Sequence, residues 1–352
     1  MEFGLRYKVM VGAVVGVFFI VSLTLLFKYE STSDQAGTER FTTAKTVIPQ
    51  AKGEVQFAER IKLPVSGSAP EQDVKHTISI EDIRRGCAVR DCIPAVDRPE
   101  FMLATEMSSI LQDDSIGIAL AYQGEHRFYP FPMLETHELV NDTVAGDPLL
   151  ITYCPLCGTG IVFERTLDGE PVEFGVSGML WQSNLLMYNR ASTIDERNLW
   201  SQVLGEAVVG SRAGEALVVV PSDIMRFGDW AAVYPEGLVL TTGSPKDPYG
   251  GEYYRVASSF GPDFDAAMSS LEPDAYVYGV IVSGQPLAIP RATLPEGVTR
   301  YEIADTAIKI TRTATGVVEV TDTEGLLIPD IEGFWFSWAA AHPDTMVWSN
   351  ES

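Results

Sequence analysis

Hydrophobic and polar residues alternate with a period of two over much of this chain. Ile116, Ile118, Leu120 and Tyr122 fall on one face of an extended segment, as a half-buried strand requires. Gly124 ends that segment, and a second apolar run leads to Pro130. The pattern predicts a strand, a glycine turn and a strand. Leu149 to Tyr153 and Ile161 to Phe163 predict two more strands around a short turn. Helical spacing is sparse. Pro132 to Asn141 fits one short helix with proline in its first turn, placing Met133, His137 and Val140 on a common side. Trp230-Ala231-Ala232 and Trp338-Ala339-Ala340 each fit a helix that stops before Pro235 or Pro343 and leads into a strand. No long helix follows each strand. The pattern therefore predicts a β-rich α+β fold of mainly antiparallel strands, not a doubly wound parallel sheet.

The pattern also recurs along the chain. Ile118 to Gly124, ending at Pro130, matches Tyr278 to Gly284, ending at Pro290. Arg165-Thr166 with Gly169 matches Arg312-Thr313 with Gly316, and the two Trp-Ala-Ala segments match each other. Three anchors in the same order predict a degenerate internal duplication, with one repeat at about residues 92–240 and a smaller one at 276–348. The second copy lacks the segment holding His137 and the cysteine turn at Cys154.

The remaining organisation is set by the first 75 residues. An uncharged run from Val9 to Phe27 follows Arg6 and Lys8 and is closed by Lys28. At about 1.5 Å per residue it spans roughly 28 Å, close to a bilayer core. No small-residue cleavage site ends it, so it reads as an uncleaved transmembrane signal anchor. The positive charges before it place residues 1–8 in the cytoplasm and the rest outside the cell membrane. Residues 28–75 are polar, with scattered Gly, Ser, Thr and Pro, and read as a flexible linker. Residues 76–352 then form the extracytoplasmic globular domain. The lipid bilayer is the one partner this pattern names. The chain carries 48 Asp plus Glu against 25 Lys plus Arg, a net charge of -23. Such a surface cannot neutralise phosphates, which excludes nucleic acid as a partner.

Candidate chemistry is concentrated in Thr152-Tyr153-Cys154-Pro155-Leu156-Cys157-Gly158. A Cys-Pro-x-Cys-Gly turn between two strands aims both sulfurs at one point. Three uses follow. With His137, Met187 or a carboxylate as further ligand, Cys154 and Cys157 suit copper or zinc. Alternatively they are a redox dithiol, with Cys154 as nucleophile and Cys157 as resolving thiol. In the third use they form a disulfide that braces a non-catalytic scaffold or binding module. The soft-metal use leads, with His137 as imidazole ligand; the competing role for His137 is a hydrogen-bonded core residue. Copper is preferred to zinc because a full set of four ligands is missing. Cys87 and Cys92 are five residues apart. A local disulfide between them suits an oxidising compartment, and a four-cysteine metal site with Cys154 and Cys157 is the alternative. Phe174 to Tyr188 and Leu199 to Gln202 mix polar and aromatic residues without clean periodicity, as a pocket lining or a hydrogen-bonded β scaffold would. No phosphate loop, hydrolase elbow or haem-attachment motif is present in the sequence.

Six strings taken in order carry a family resemblance. They are Asp91 to Pro99, His137 to Thr143, Thr152 to Gly158, Phe174 to Gly178, Leu199 to Gln202 and Phe334 to Ala340. Together they resemble the bacterial and archaeal domain-of-unknown-function family numbered 3179, over about residues 78–348. The resemblance implies a secreted or membrane-anchored globular protein and no established activity. The family pattern has an acidic residue before the Arg of its Met-Tyr-x-Arg string, whereas Asn189 precedes Arg190 here.

The anchor reading is checked by N-terminal sequencing of the mature protein and by protease protection. The expected outcome is an intact segment through Phe27, with cleavage of the globular part from the outer side only. A mature N-terminus beyond Lys28 would refute it.

Overall fold

Alternate β-branched and aromatic positions favour strands because each strand then packs one row of side chains into a core. The computed structural model describes residues 46–47, 56–58, 74–87, 89–191, 193, 197–242 and 270–350. Strands β1 (Ile116–Tyr122) and β2 (Glu125–Pro130) form a hairpin. Its turn, Gln123 and Gly124, has φ of 47° and 84°, the left-handed pair that matches strand twist. A single helical turn, α1 (Phe131–Leu134), leads to a meander of β3 (Leu139–Val144), β4 (Asp147–Cys154) and β5 (Thr159–Glu164). A second meander follows: β6 (Phe174–Trp181), β7 (Asn184–Asn189), β8 (Leu199–Ser201) and β9 (Glu206–Val209). Strand β10 (Val218–Val220) returns to pair with β5. Then β11 (Asp223–Arg226) lies antiparallel to β1, helix α2 (Phe227–Val233) crosses, and β12 (Leu238–Leu240) lies parallel to β2.

The later part repeats this pairing. Strands β13 (Tyr276–Val282) and β14 (Gln285–Pro290) form a hairpin through Ser283 and Gly284, at φ of 51° and 84°. A small sheet of β15 (Gly297–Ile303), β16 (Thr306–Arg312), β17 (Val318–Thr321) and β18 (Leu327–Ile328) is interposed. Strand β19 (Asp330–Phe334) is antiparallel to β13, helix α3 (Trp335–Ala341) crosses, and β20 (Met346–Val347) is parallel to β14. The sets β11-β1-β2-β12 and β19-β13-β14-β20 thus share every strand direction. The second set shares a sheet with β5 and β10, since β5 pairs with β19 at Gly160 and Glu332, while the first set forms a separate sheet tied to it where Ile224 N–H donates to Glu332 Oε1 at 2.9 Å.

Four clusters of buried apolar residues are found among the described residues, and three of them bear on the site. Phe128, Phe227 and Trp230 fill the first, and Tyr278, Leu287 and Ile310 fill the core under β15–β18. Another cluster holds Cys154, Cys157, Met187, Trp200, Trp335 and Trp338. A buried charge also ties β2 to β3. Arg127 Nη1 lies 2.7 Å from Asp142 Oδ2, which also accepts the Tyr129 hydroxyl at 2.6 Å. Asp142 compensates the buried guanidinium, which is expensive to leave unpaired.

The β-rich α+β class is as the alternation predicts. The expected helix over Pro132–Asn141 is not. Only Phe131–Leu134 is helical, and Leu139–Val144 is a strand. Glu138 has φ 57°, a left-handed conformation that stops a helix. Beyond it Leu139 and Val140 pair with Thr152 and Ile151, so His137 lies in a turn and shares no helical face with Met133. The local Cys87–Cys92 disulfide forms as expected, and the alternative four-cysteine site does not. Cys87 and Cys92 are joined in a disulfide with Cα atoms 6.5 Å apart, while Cys154 and Cys157 are free. Within the predicted linker, Thr46–Val47 and Gln56–Ala58 are short strands paired to β10 and to Val74–His76. The expected span at Val9–Phe27 lies outside the described residues; among those described, no helix is long and apolar enough to cross a membrane.

Close approach makes Gly279 sensitive. A Cβ there would lie 2.2 Å from Trp338 Cε3. Gly284 has open space but φ +84°. Gly279→Ala should cost about 1–3 kcal/mol through overpacking, and Gly284→Ala about 1 kcal/mol through backbone strain. Urea midpoints of the two variants check that order, and equal midpoints would contradict the packing at Trp338.

Candidate functional site

Strand β4 delivers Cys154, and the turn through Pro155 and Leu156 brings Cys157 back over it. Cys157 N–H donates to Cys154 O at 3.1 Å. Gly158 then reverses the chain at φ 61° into β5, where a Cβ would press 3.1 Å against the Phe334 ring. The second hairpin set holds this turn from outside. Phe334 N–H donates to Cys157 O at 2.8 Å, and the Tyr276 hydroxyl donates to Gly158 O at 2.7 Å.

The two sulfurs are 3.0 Å apart, with the Cys154 thiol donating to Cys157 Sγ. Both residues are buried, at 2% and 0% exposure. Above them lies the β6–β7 turn. Gln182 and Ser183 both have positive φ, 50° and 63°, in a tight hairpin turn without glycine. That conformation persists only where surroundings over-determine it. The Ser183 carbonyl sits 3.2 Å from Cys157 Sγ and 3.8 Å from Cys154 Sγ; it accepts the Cys157 thiol, while the single Cys154 proton goes to Cys157.

A buried amide network sets this arrangement. Gln202 Oε1 accepts from Thr159 Oγ1 at 2.7 Å and from Asn184 Nδ2 at 2.8 Å. Its Nε2 donates to Thr152 Oγ1 and to Thr159 O, both at 3.1 Å. All four hydrogen-bonding positions of the amide are used. Asn184 Oδ1 accepts Val203 N–H at 3.0 Å, so its Nδ2 must face the other way, 3.5 Å from Cys157 Sγ. Each sulfur therefore receives an N–H: Asn184 Nδ2 on Cys157, and the Leu185 amide on Cys154. Such donors favour the thiolate. Burial works the other way and holds the Cys154 thiol well above its usual range, helped by its bond to Cys157 and the nearby Glu138 carboxyl.

His137 does not join the sulfurs in a metal-holding group. It lies in the turn after α1, with Nδ1 donating to Pro94 O at 2.7 Å. This bond pins the chain after the disulfide, where Val96 N–H also donates to Leu139 O. Met187 lies in β7, within the cysteine core cluster. Among the described residues, no three His, Cys, Asp or Glu side chains form a group that could hold a metal. The structure instead directs Glu138, the next residue, inward. It is buried at 6% exposure, its carbonyl accepts Tyr153 N–H at 2.8 Å, and its carboxyl acts electrostatically on Cys154. Desolvation raises that carboxyl from 4.5 to about 8.

The family comparison covers all of these parts. A family model described as a protein of unknown function (DUF3179) matches residues 90–345. The chain belongs to this family. The matched span contains Glu138, the cysteine turn, Asn184, Gln202, the first hairpin set and the second except β20, and starts within the disulfide loop. No curated protein and no solved structure matches the chain.

Between pH 4.5 and about 8, folded Glu138 keeps a proton that the unfolded chain has released. Its contribution to stability is full below pH 4.5 and is lost as pH rises to about 8. Glu138→Gln removes this term. Wild-type stability should fall relative to the variant by at most about 1.4 kcal/mol per pH unit across that window. Urea unfolding of both proteins over the window tests it; parallel stability curves would show that Glu138 is ionised in the fold.

Proposed function

We propose that this chain is a membrane-anchored, extracytoplasmic protein that binds one cuprous ion through the Cys154 and Cys157 thiolates. One observation carries the reading: two free sulfurs converge in the buried core, and each faces an N–H donor. Soft thiolates select monovalent copper, which accepts two or three ligands, whereas structural zinc almost always requires four. The donors from Asn184 and Leu185 compensate thiolate charge in a site that excludes water. Burial also keeps large thiol partners away from both sulfurs, whereas a bare ion needs only a small local opening. The apolar run at Val9–Phe27 supports the anchor, and the Cys87–Cys92 disulfide supports an oxidising compartment. The identical strand directions of the two hairpin sets support descent from a duplicated unit, in which the second copy became a clamp for the cysteine turn of the first.

A second reading rests on the 3.0 Å separation of the sulfurs. In it, Cys154 and Cys157 each lose a hydrogen and form one S–S bond, while a disulfide acceptor takes up the two electrons and two protons and becomes a dithiol.

The test is anaerobic titration of the reduced full-length chain with cuprous ion against a competing chelator, with zinc in parallel. One copper per chain is expected, no zinc should be retained, and the Cys154→Ser, Cys157→Ser double variant should hold no copper. Equal copper in wild type and double variant overturns the metal reading. A Cys154–Cys157 reduction potential well above about −300 mV, with no copper retained, would favour the redox reading.

A further inference from the structure

We infer that the main-chain carbonyl of Ser183 is the third ligand of the cuprous ion, which makes the site a three-coordinate S, S, O centre. The inference rests on the copper reading above. The two thiols and this carbonyl form one triangle, with sides of 3.0, 3.2 and 3.8 Å. Both sulfurs are within reach of the carbonyl, and the Cys157 thiol points at it. Thiols lose their protons when they bind metal. Both protons are released to solvent, and the ion takes the place of the Cys157 proton and meets the oxygen that accepted it. A neutral oxygen adds no charge to a buried site that already holds two thiolates around one positive ion. Backbone oxygen is also an established weak ligand at copper–thiolate centres.

The carbonyl is held in place by side chains rather than by local preference. Gln182 and Ser183 are both left-handed and neither is glycine. The residue after them anchors the turn: Asn184 takes Val203 N–H and gives Nδ2 to Gln202. Gln202 N–H donates in turn to Leu185 O at 3.1 Å. Asn184 is therefore a positioning residue for the Ser183 oxygen as well as a donor to Cys157. No sequence motif marks this ligand, because the Ser183 side chain takes no part in it.

X-ray absorption on the full-length chain loaded anaerobically with cuprous ion decides the matter. Two sulfur scatterers and one oxygen are expected. Two sulfurs alone, a third sulfur from Met187, or the multiple-scattering signature of the His137 imidazole would each overturn the carbonyl assignment and leave the copper reading standing. No bound copper would overturn both. In Asn184→Ala the two sulfurs should remain, the oxygen shell should weaken, and cuprous affinity should fall about tenfold or more. An oxygen shell and affinity equal to wild type would remove Asn184 from its positioning role. An unfolded variant is recognised by the loss of its near-ultraviolet circular dichroism, and Asn184→Asp then replaces it, since that change keeps the acceptor for Val203 and removes the amide donor.

Discussion

A buried amide must find a partner for every donor and acceptor it carries, and Gln202 meets that demand with four bonds to three strands. Thr152 is on β4, Thr159 on β5 and Asn184 on β7. The strands come from two different sheets. One side chain thus sets the distance between the cysteine turn and the hairpin above it. An apolar residue at this position would fill the volume but strand the Thr159 carbonyl and the Asn184 amide, and unsatisfied buried groups cost more than the bonds they replace. The strained Gln182–Ser183 turn, the direction of Asn184 and the contact of Ser183 with the sulfurs all follow from that network.

Alternation and turn chemistry were enough to read the β-rich class, the two Trp-Ala-Ala helices and the Gly124 and Gly284 hairpins, because those signals are local. The cysteine turn was legible for the same reason. The rest of the site was not. The spacing of Met133, His137 and Val140 fits a helix, and only a left-handed Glu138 redirects the chain into β3. Nothing local announces that conformation, since it depends on pairing with β4. The one available hint was an acidic residue placed between His137 and an apolar run. Gln202 and Asn184 are 18 positions apart, so their amide pairing is a property of the sheet. The short strands at Thr46–Val47 and Gln56–Ala58 were also hidden, because polar composition is equally compatible with an edge strand and a tether.

The two hairpin sets do different work with the same pairing. In the first, β1 and β2 pack on Phe227 and Trp230 and leave the β3–β10 segment free to build the dithiol. In the second, β13 and β19 supply Tyr276 and Phe334, which bond the carbonyls on either side of the turn's end. The dithiol is thus completed by a part of the chain more than a hundred residues away, so the isolated first set would leave Cys157 O and Gly158 O to water.

The depth of the cysteine turn has a kinetic consequence. With both sulfurs buried and the Ser183 turn over them, entry and departure of any occupant require that turn to lift. Local openings of this kind have their own free energy, below that of global unfolding. The residence time of an occupant is then governed by how often the β6–β7 hairpin opens as well as by the strength of its bonds. Under the copper proposal, this depth would favour long-term retention or insertion during folding over rapid turnover.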